Sequence, residues 1–91
     1  MFEVKITPQA AEDLLEIKNT VLKIVETYEN LVEFPEIGIP VERYVRFPTD
    51  YKFVLANNYS IFYRIEDKIV RVIRIMYSKC MENGRRTEIY G

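Results

Sequence analysis

The sequence predicts an α+β domain in which a short strand and a helical stretch precede a mostly antiparallel sheet. Three observations carry this. Phe2, Val4 and Ile6 alternate with Glu3 and Lys5, as a half-buried strand requires. Apolar residues at helical spacing follow (Leu14, Leu15, Val21, Leu22, Val25, Tyr28, Leu31, Val32), with no Gly or Pro from Ala11 until Pro35. Residues 51–79 then run as three segments rich in Val, Ile, Phe and Tyr.

Each element has its local signal. Thr7-Pro8 marks a helix start, with Thr7 able to cap and Pro8 suited to the first turn. The apolar stripe predicts one long helix, or a short helical hairpin if Asn19-Thr20 breaks and recaps it. The stripe is read as core packing. Phe34-Pro35-Glu36-Ile37-Gly38-Ile39-Pro40 is a turn-rich link. A strand over Arg43–Phe47 is expected next, ended by Pro48-Thr49-Asp50, and then a strand from Tyr51 to Ala56. Asn57-Asn58 and Glu66-Asp67-Lys68 are candidate hairpin turns. The tail from Met81 to Gly91 is polar and basic.

The 91 residues fit one domain, 1–91, with an apolar content of 48% that is ample for a core. No apolar run approaches the ~20 residues of a membrane span, and no signal-peptide pattern opens the chain, so a cytoplasmic setting without membrane contact is expected. The one cysteine, Cys80, excludes an internal disulfide. No Cys/His cluster or glycine-rich phosphate loop is present, so no metal or other cofactor is expected. Charge is divided unevenly. Residues 1–42 carry three lysines against nine acids, net −6, and residues 43–91 carry ten Lys/Arg against five acids, net +5. A polyanion would meet the second half.

The segments Tyr51-Lys52-x-Val54, Asn58-Tyr59-x-Ile61-Phe62-Tyr63-Arg64-Ile65 and Val70-x-Val72-Ile73-Arg74-Ile75-x-Tyr77 together resemble the RelE/ParE family of type II toxins. So do the opening Thr7-Pro8-x-Ala10 with Glu12-Asp13-Leu14 and the link Leu31-Val32-x-Phe34-Pro35-x-x-Gly38. The resemblance implies a RelE/ParE-like fold and a small cytoplasmic toxin of a plasmid-stabilisation type, held inactive by a cognate antitoxin. RelE-like members cut messenger RNA in the ribosomal A site, whereas ParE-like members inhibit DNA gyrase. The basic, tyrosine-rich sheet favours the ribosome-dependent nuclease. The alternatives are gyrase inhibition and a nontoxic binding module of the same fold. Ser60 stands where RelE-like nucleases carry an arginine, Ser78-Lys79-Cys80-Met81 replaces an Arg-rich tail, and the helical stretch is shorter than the family's hairpin.

Attack by a ribose 2′-hydroxyl needs a base, an acid and cations on the charged transition state. The chain has no histidine. Lys52 or Tyr77 must then act as base, helped by neighbouring positive charge. Arg74 and Lys79 complete the catalytic candidates. Arg46, Arg85 and Arg86, with Tyr51 and Tyr90 as stacking platforms, are the RNA-binding candidates; Tyr59 and Tyr63 are further stacking residues. Each group also has a purely structural reading. The tyrosines suit sheet packing, and Arg64, Arg71 and Arg74 alternate with Val and Ile as a solvated or salt-bridged edge does. Cys80 lacks a histidine partner and reads as a passive thiol.

Overall fold

The computed structural model describes residues 2–77. Strand β1 (Glu3–Ile6) leads into helix α1 (Pro8–Leu15), helix α2 (Val21–Glu29) and a 3-10 turn (Asn30–Val32). Strand β2 (Ile39–Pro40), a second 3-10 turn (Val41–Arg43) and strands β3 (Lys52–Ala56), β4 (Tyr59–Glu66) and β5 (Ile69–Tyr77) complete it. The sheet order is β1-β5-β4-β3-β2, antiparallel except that β1 runs parallel to β5. The α+β expectation therefore holds, including its mostly antiparallel sheet.

Local chemistry explains most of the boundaries. Thr7 is extended at the helix N-cap, its hydroxyl accepts from the Ala10 N–H at 3.1 Å, and Pro8 opens the first turn. Asn57 and Asp67 sit at φ 55° and 60° in the two hairpin turns. Asn and Asp tolerate this left-handed region better than other side chains with a Cβ.

Two expectations change. The helical stretch is not one helix: α1 closes with tight bonds from Glu16 N–H to Asp13 and from Ile17 N–H to Leu14. Thr20 precedes α2, as the alternative reading anticipated, but its hydroxyl makes no cap bond. Because the helix breaks, the stripe is not uniformly core. Ala10, Ile17, Ile24 and Leu31 are buried, whereas Leu15 and Leu22 are 83% and 81% exposed. The second change is at Arg43–Phe47, which forms no strand. Pro40 ends β2 without an N–H of its own to donate, and the Tyr44 N–H then turns back onto the Val41 carbonyl at 2.8 Å. The turn brings the Tyr44 ring against Phe53, centroids 5.8 Å apart.

The helices pack on one sheet face, where Ile61, Tyr63, Val70, Val72 and Ile75 meet Ala10, Ile17, Ile24 and Leu31. Each large aliphatic side chain buried there contributes about 1.5–3 kcal/mol. On the other face Phe53 is buried between Tyr44 and Phe62.

Tyr63 joins this core to the link before β2. Its ring is fully buried, its hydroxyl donates to the Pro35 carbonyl at 2.8 Å, and it accepts from the Gly38 N–H at 2.9 Å. Burial, above all, raises the phenol's pKa, so it stays protonated and able to donate. Gly38 lies so close that a Cβ there would stand 2.8 Å from the Tyr63 ring carbon Cε1. Tyr63→Phe leaves Gly38 N–H and the Pro35 carbonyl without this partner and should cost about 1–3 kcal/mol in urea unfolding. Gly38→Ala should cost a similar amount through overpacking. Unfolding curves that superimpose on the wild type would contradict this latch.

Candidate cation and tyrosine site on the sheet

β1 is four residues long and β5 nine, so β5 loses its parallel neighbour after Val72. At that point the register slips. Phe62 pairs with Arg74 but Tyr63 pairs with Val72, leaving Ile73 as the extra residue of a β-bulge. The bulge presents two successive carbonyls to one residue. The Thr7 N–H bonds Val72 O, and the Thr7 hydroxyl donates to Ile73 O, each at 3.0 Å. Further along α1, Asp13 takes the place of the absent strand neighbour. Its carboxylate accepts from the Ile75 N–H at 2.9 Å and from Arg74 Nε and Nη2 at 2.7 and 3.1 Å. The Arg74 hydrogen bond, foremost, holds the Asp13 carboxyl below the usual aspartate range.

This places Arg74, expected as a catalytic cation, in a bidentate pair that pins α1 to β5. The other sheet cations are also engaged. Arg64 Nη2 donates to Asp50 at 2.9 Å, and Glu66 reaches Arg64 at 3.5 Å and Arg71 at 2.8 Å. Asp50, through its hydrogen bond first, raises the Arg64 pKa. The Arg64 guanidinium also lies 5.8 Å from the Tyr51 ring centroid, so Tyr51 already carries a cation on its face. Lys52 stands 3.7 Å from Glu36, with its side chain 22% exposed. The salt-bridged reading of Arg64, Arg71 and Arg74 is thus the one the geometry bears out.

The two expected bases are far apart. Lys52 pairs with Tyr63 and Tyr77 with Tyr59, four residues apart along β4. That is about 13 Å along the strand, with a further two strand spacings across. Tyr77 is 57% exposed and meets Tyr59 edge to face at 5.5 Å. Tyr63, read as a stacking residue, has no exposed ring to offer. Arg46 is exposed in the bend before β3. Ser60 is buried opposite Met76. Lys79, Cys80, Arg85, Arg86 and Tyr90 lie outside the described residues.

The residues missed in the sequence are the carboxylates. Asp13, Glu36, Asp50 and Glu66 each select a sheet cation. Only Glu66 lay close enough in sequence, on its own strand beside Arg64, to suggest its partner.

Over residues 4–79 the sequence matches the family described as ParE toxin of type II toxin-antitoxin system, parDE. The fold is similar to that in the toxin-antitoxin complex RelBE2 from Mycobacterium tuberculosis, at 23% identity and TM-score 0.67, over 84% of this chain and 96% of that one. It is similar to the chromosomal ParDE system from P. aeruginosa, at 23% identity and TM-score 0.67, over 87% and 98% of the respective chains. The isolated E. coli RelE toxin matches at 18% identity and TM-score 0.70, over 99% and 92%. No curated protein matches the sequence.

Asp13 gives the site a pH signature. Its folded carboxyl titrates below the unfolded value of about 3.9. Its stabilisation is therefore complete above that unfolded value and is lost as pH falls through the lower folded one. Asp13→Asn should cost about 1–3 kcal/mol at pH 7 and remove part of the acid limb of the unfolding titration. An acid limb identical to the wild type would contradict the assignment.

Proposed function

Because the chain belongs to the ParE toxin family of type II toxin–antitoxin systems, we propose that it arrests growth by binding DNA gyrase, not by cutting messenger RNA on the ribosome. The observation that carries this reading is the engagement of Lys52, Arg64, Arg71 and Arg74 by carboxylates of the same chain, at 3.7, 2.9, 2.8 and 2.7 Å. Asp13, which holds α1 to the sheet, takes the Nε and one Nη2 donor of Arg74, so the bidentate edge of that guanidinium is no longer open to a phosphate. Cleavage also needs a base and cations on one scissile bond. Lys52 and Tyr77 stand at opposite ends of the strands, and Ser60 offers no guanidinium.

The exposed surface suits a protein partner. Phe34, Ile37, Tyr44, Phe47, Leu55, Met76 and Tyr77 all stand out from the described residues. Aromatic residues and Met are the side chains enriched at protein interfaces. The same pairing bears on the cognate antitoxin. Neutralisation of a basic sheet face gives it little hold where those cations already have partners.

Purified chain added to gyrase and relaxed plasmid should stop supercoiling, and primer extension on a message translated in vitro should show no new ends. Codon-aligned message cleavage with supercoiling unaffected would overturn the proposal in favour of the nuclease.

A further inference from the structure

The Tyr63 latch has a consequence at the far edge of the sheet. β2 pairs with β3 only through Ile39–Phe53 and Pro40–Lys52. Before Ile39 the chain leaves the sheet, because the Gly38 N–H is turned to the Tyr63 hydroxyl. Among the described residues, β3 continues to Ala56 without a neighbour on that side. Strand alternation directs the backbone of Val54 and Ala56 toward β4 and that of Leu55 toward the open edge.

Beside this edge runs a groove of about 560 Å³ lined by Thr27, Asn30, Leu31, Phe34, Ile37, Ile39 and residues 53–55. Phe34, Ile37 and Leu55 are exposed in it. Phe34 and Ile37 also wall an adjoining hollow, together with Glu33 and Glu36. The chain segment that supplies most of this lining carries charge of one sign. Residues 24–42 hold five glutamates (Glu26, Glu29, Glu33, Glu36, Glu42) and no Lys or Arg. Lys52, at the start of β3, is paired to Glu36.

We propose that the open edge of β3 and this groove bind an extended segment of a protein partner that alternates apolar and cationic residues. The unpaired edge calls for a strand, in the manner of sheet augmentation. The groove takes its apolar side chains, and Glu33, at the wall of the adjoining hollow, takes its Lys or Arg. A second copy of this chain is a poor occupant, since it would bring the same glutamate-rich stretch up to itself. The partner is thus recognised by chemistry opposite to that expected of a ligand for the basic half of the sequence.

The test is fluorescence anisotropy of two labelled eight-residue peptides, one alternating valine with lysine and one alternating valine with glutamate, titrated with the full chain. The lysine peptide should bind at least tenfold more tightly. Leu55→Pro removes the outward N–H of an edge residue, a placement that sheets tolerate, together with one exposed apolar side chain of the groove. It should weaken lysine-peptide binding at least tenfold with the melting temperature little changed. Glu33→Lys, on the exposed wall, should weaken it without touching the core, and so serves if Leu55→Pro fails to fold. Failure of the lysine peptide to bind, equal binding of both peptides, or binding indifferent to Glu33→Lys would overturn the proposal. So would self-association of the chain through this edge, seen by sedimentation and lost in Leu55→Pro.

Discussion

The carboxylate of Asp13 stands in for a strand neighbour that β5 lacks beyond Val72 among the described residues. β1 stops after four residues, and β5 runs on past it with backbone groups that need partners. A bulge at Ile73 gathers two carbonyls onto Thr7, and Asp13 takes the next free N–H, that of Ile75. Helix α1 is thereby fastened at its cap and near its end to the strand it packs against. The bidentate bond from Arg74 holds the carboxylate in place. That arrangement assigns Arg74, a cation the sequence offers for phosphate, to the fold itself.

Tyr63 plays the matching part toward the opposite edge of the sheet. A phenol buried in the core, bonded to Pro35 and Gly38, dictates where the link leaves the sheet. That departure leaves β3 open beside an apolar, acid-rimmed groove. One set of tertiary bonds therefore quiets the basic face, and another opens the acidic side. Both effects support the proposed reading, in which the protein meets protein partners instead of a nucleic-acid backbone.

The sequence made visible whatever depends on neighbours in the chain. Thr7-Pro8 announced a helix start, Asn57 and Asp67 the hairpin turns, and the alternation of Val, Ile, Phe and Tyr the three long strands. The break after α1 was only partly visible, because Ala10, Ile17, Ile24 and Leu31 keep a seven-residue spacing straight through it. Arg43–Phe47 looked like a strand by composition, yet the turn at Pro40–Tyr44 takes it off the sheet. The candidate site was the least legible part. Its cations could be named, but Asp13 lies 61 residues from Arg74, and no periodicity links two groups that meet only after the sheet has closed.

Arg74 is held by Asp13, and the proposed function requires that no phosphate displace it. This requirement is tested most directly by NMR titration of the Asp13 carboxyl carbon in the full chain, with and without a saturating RNA oligonucleotide. The expected midpoint lies below the ordinary aspartate range, is unmoved by RNA and rises in Arg74→Gln. A midpoint that climbs to the ordinary range when RNA is added would show that phosphate can claim Arg74, and would contradict that requirement.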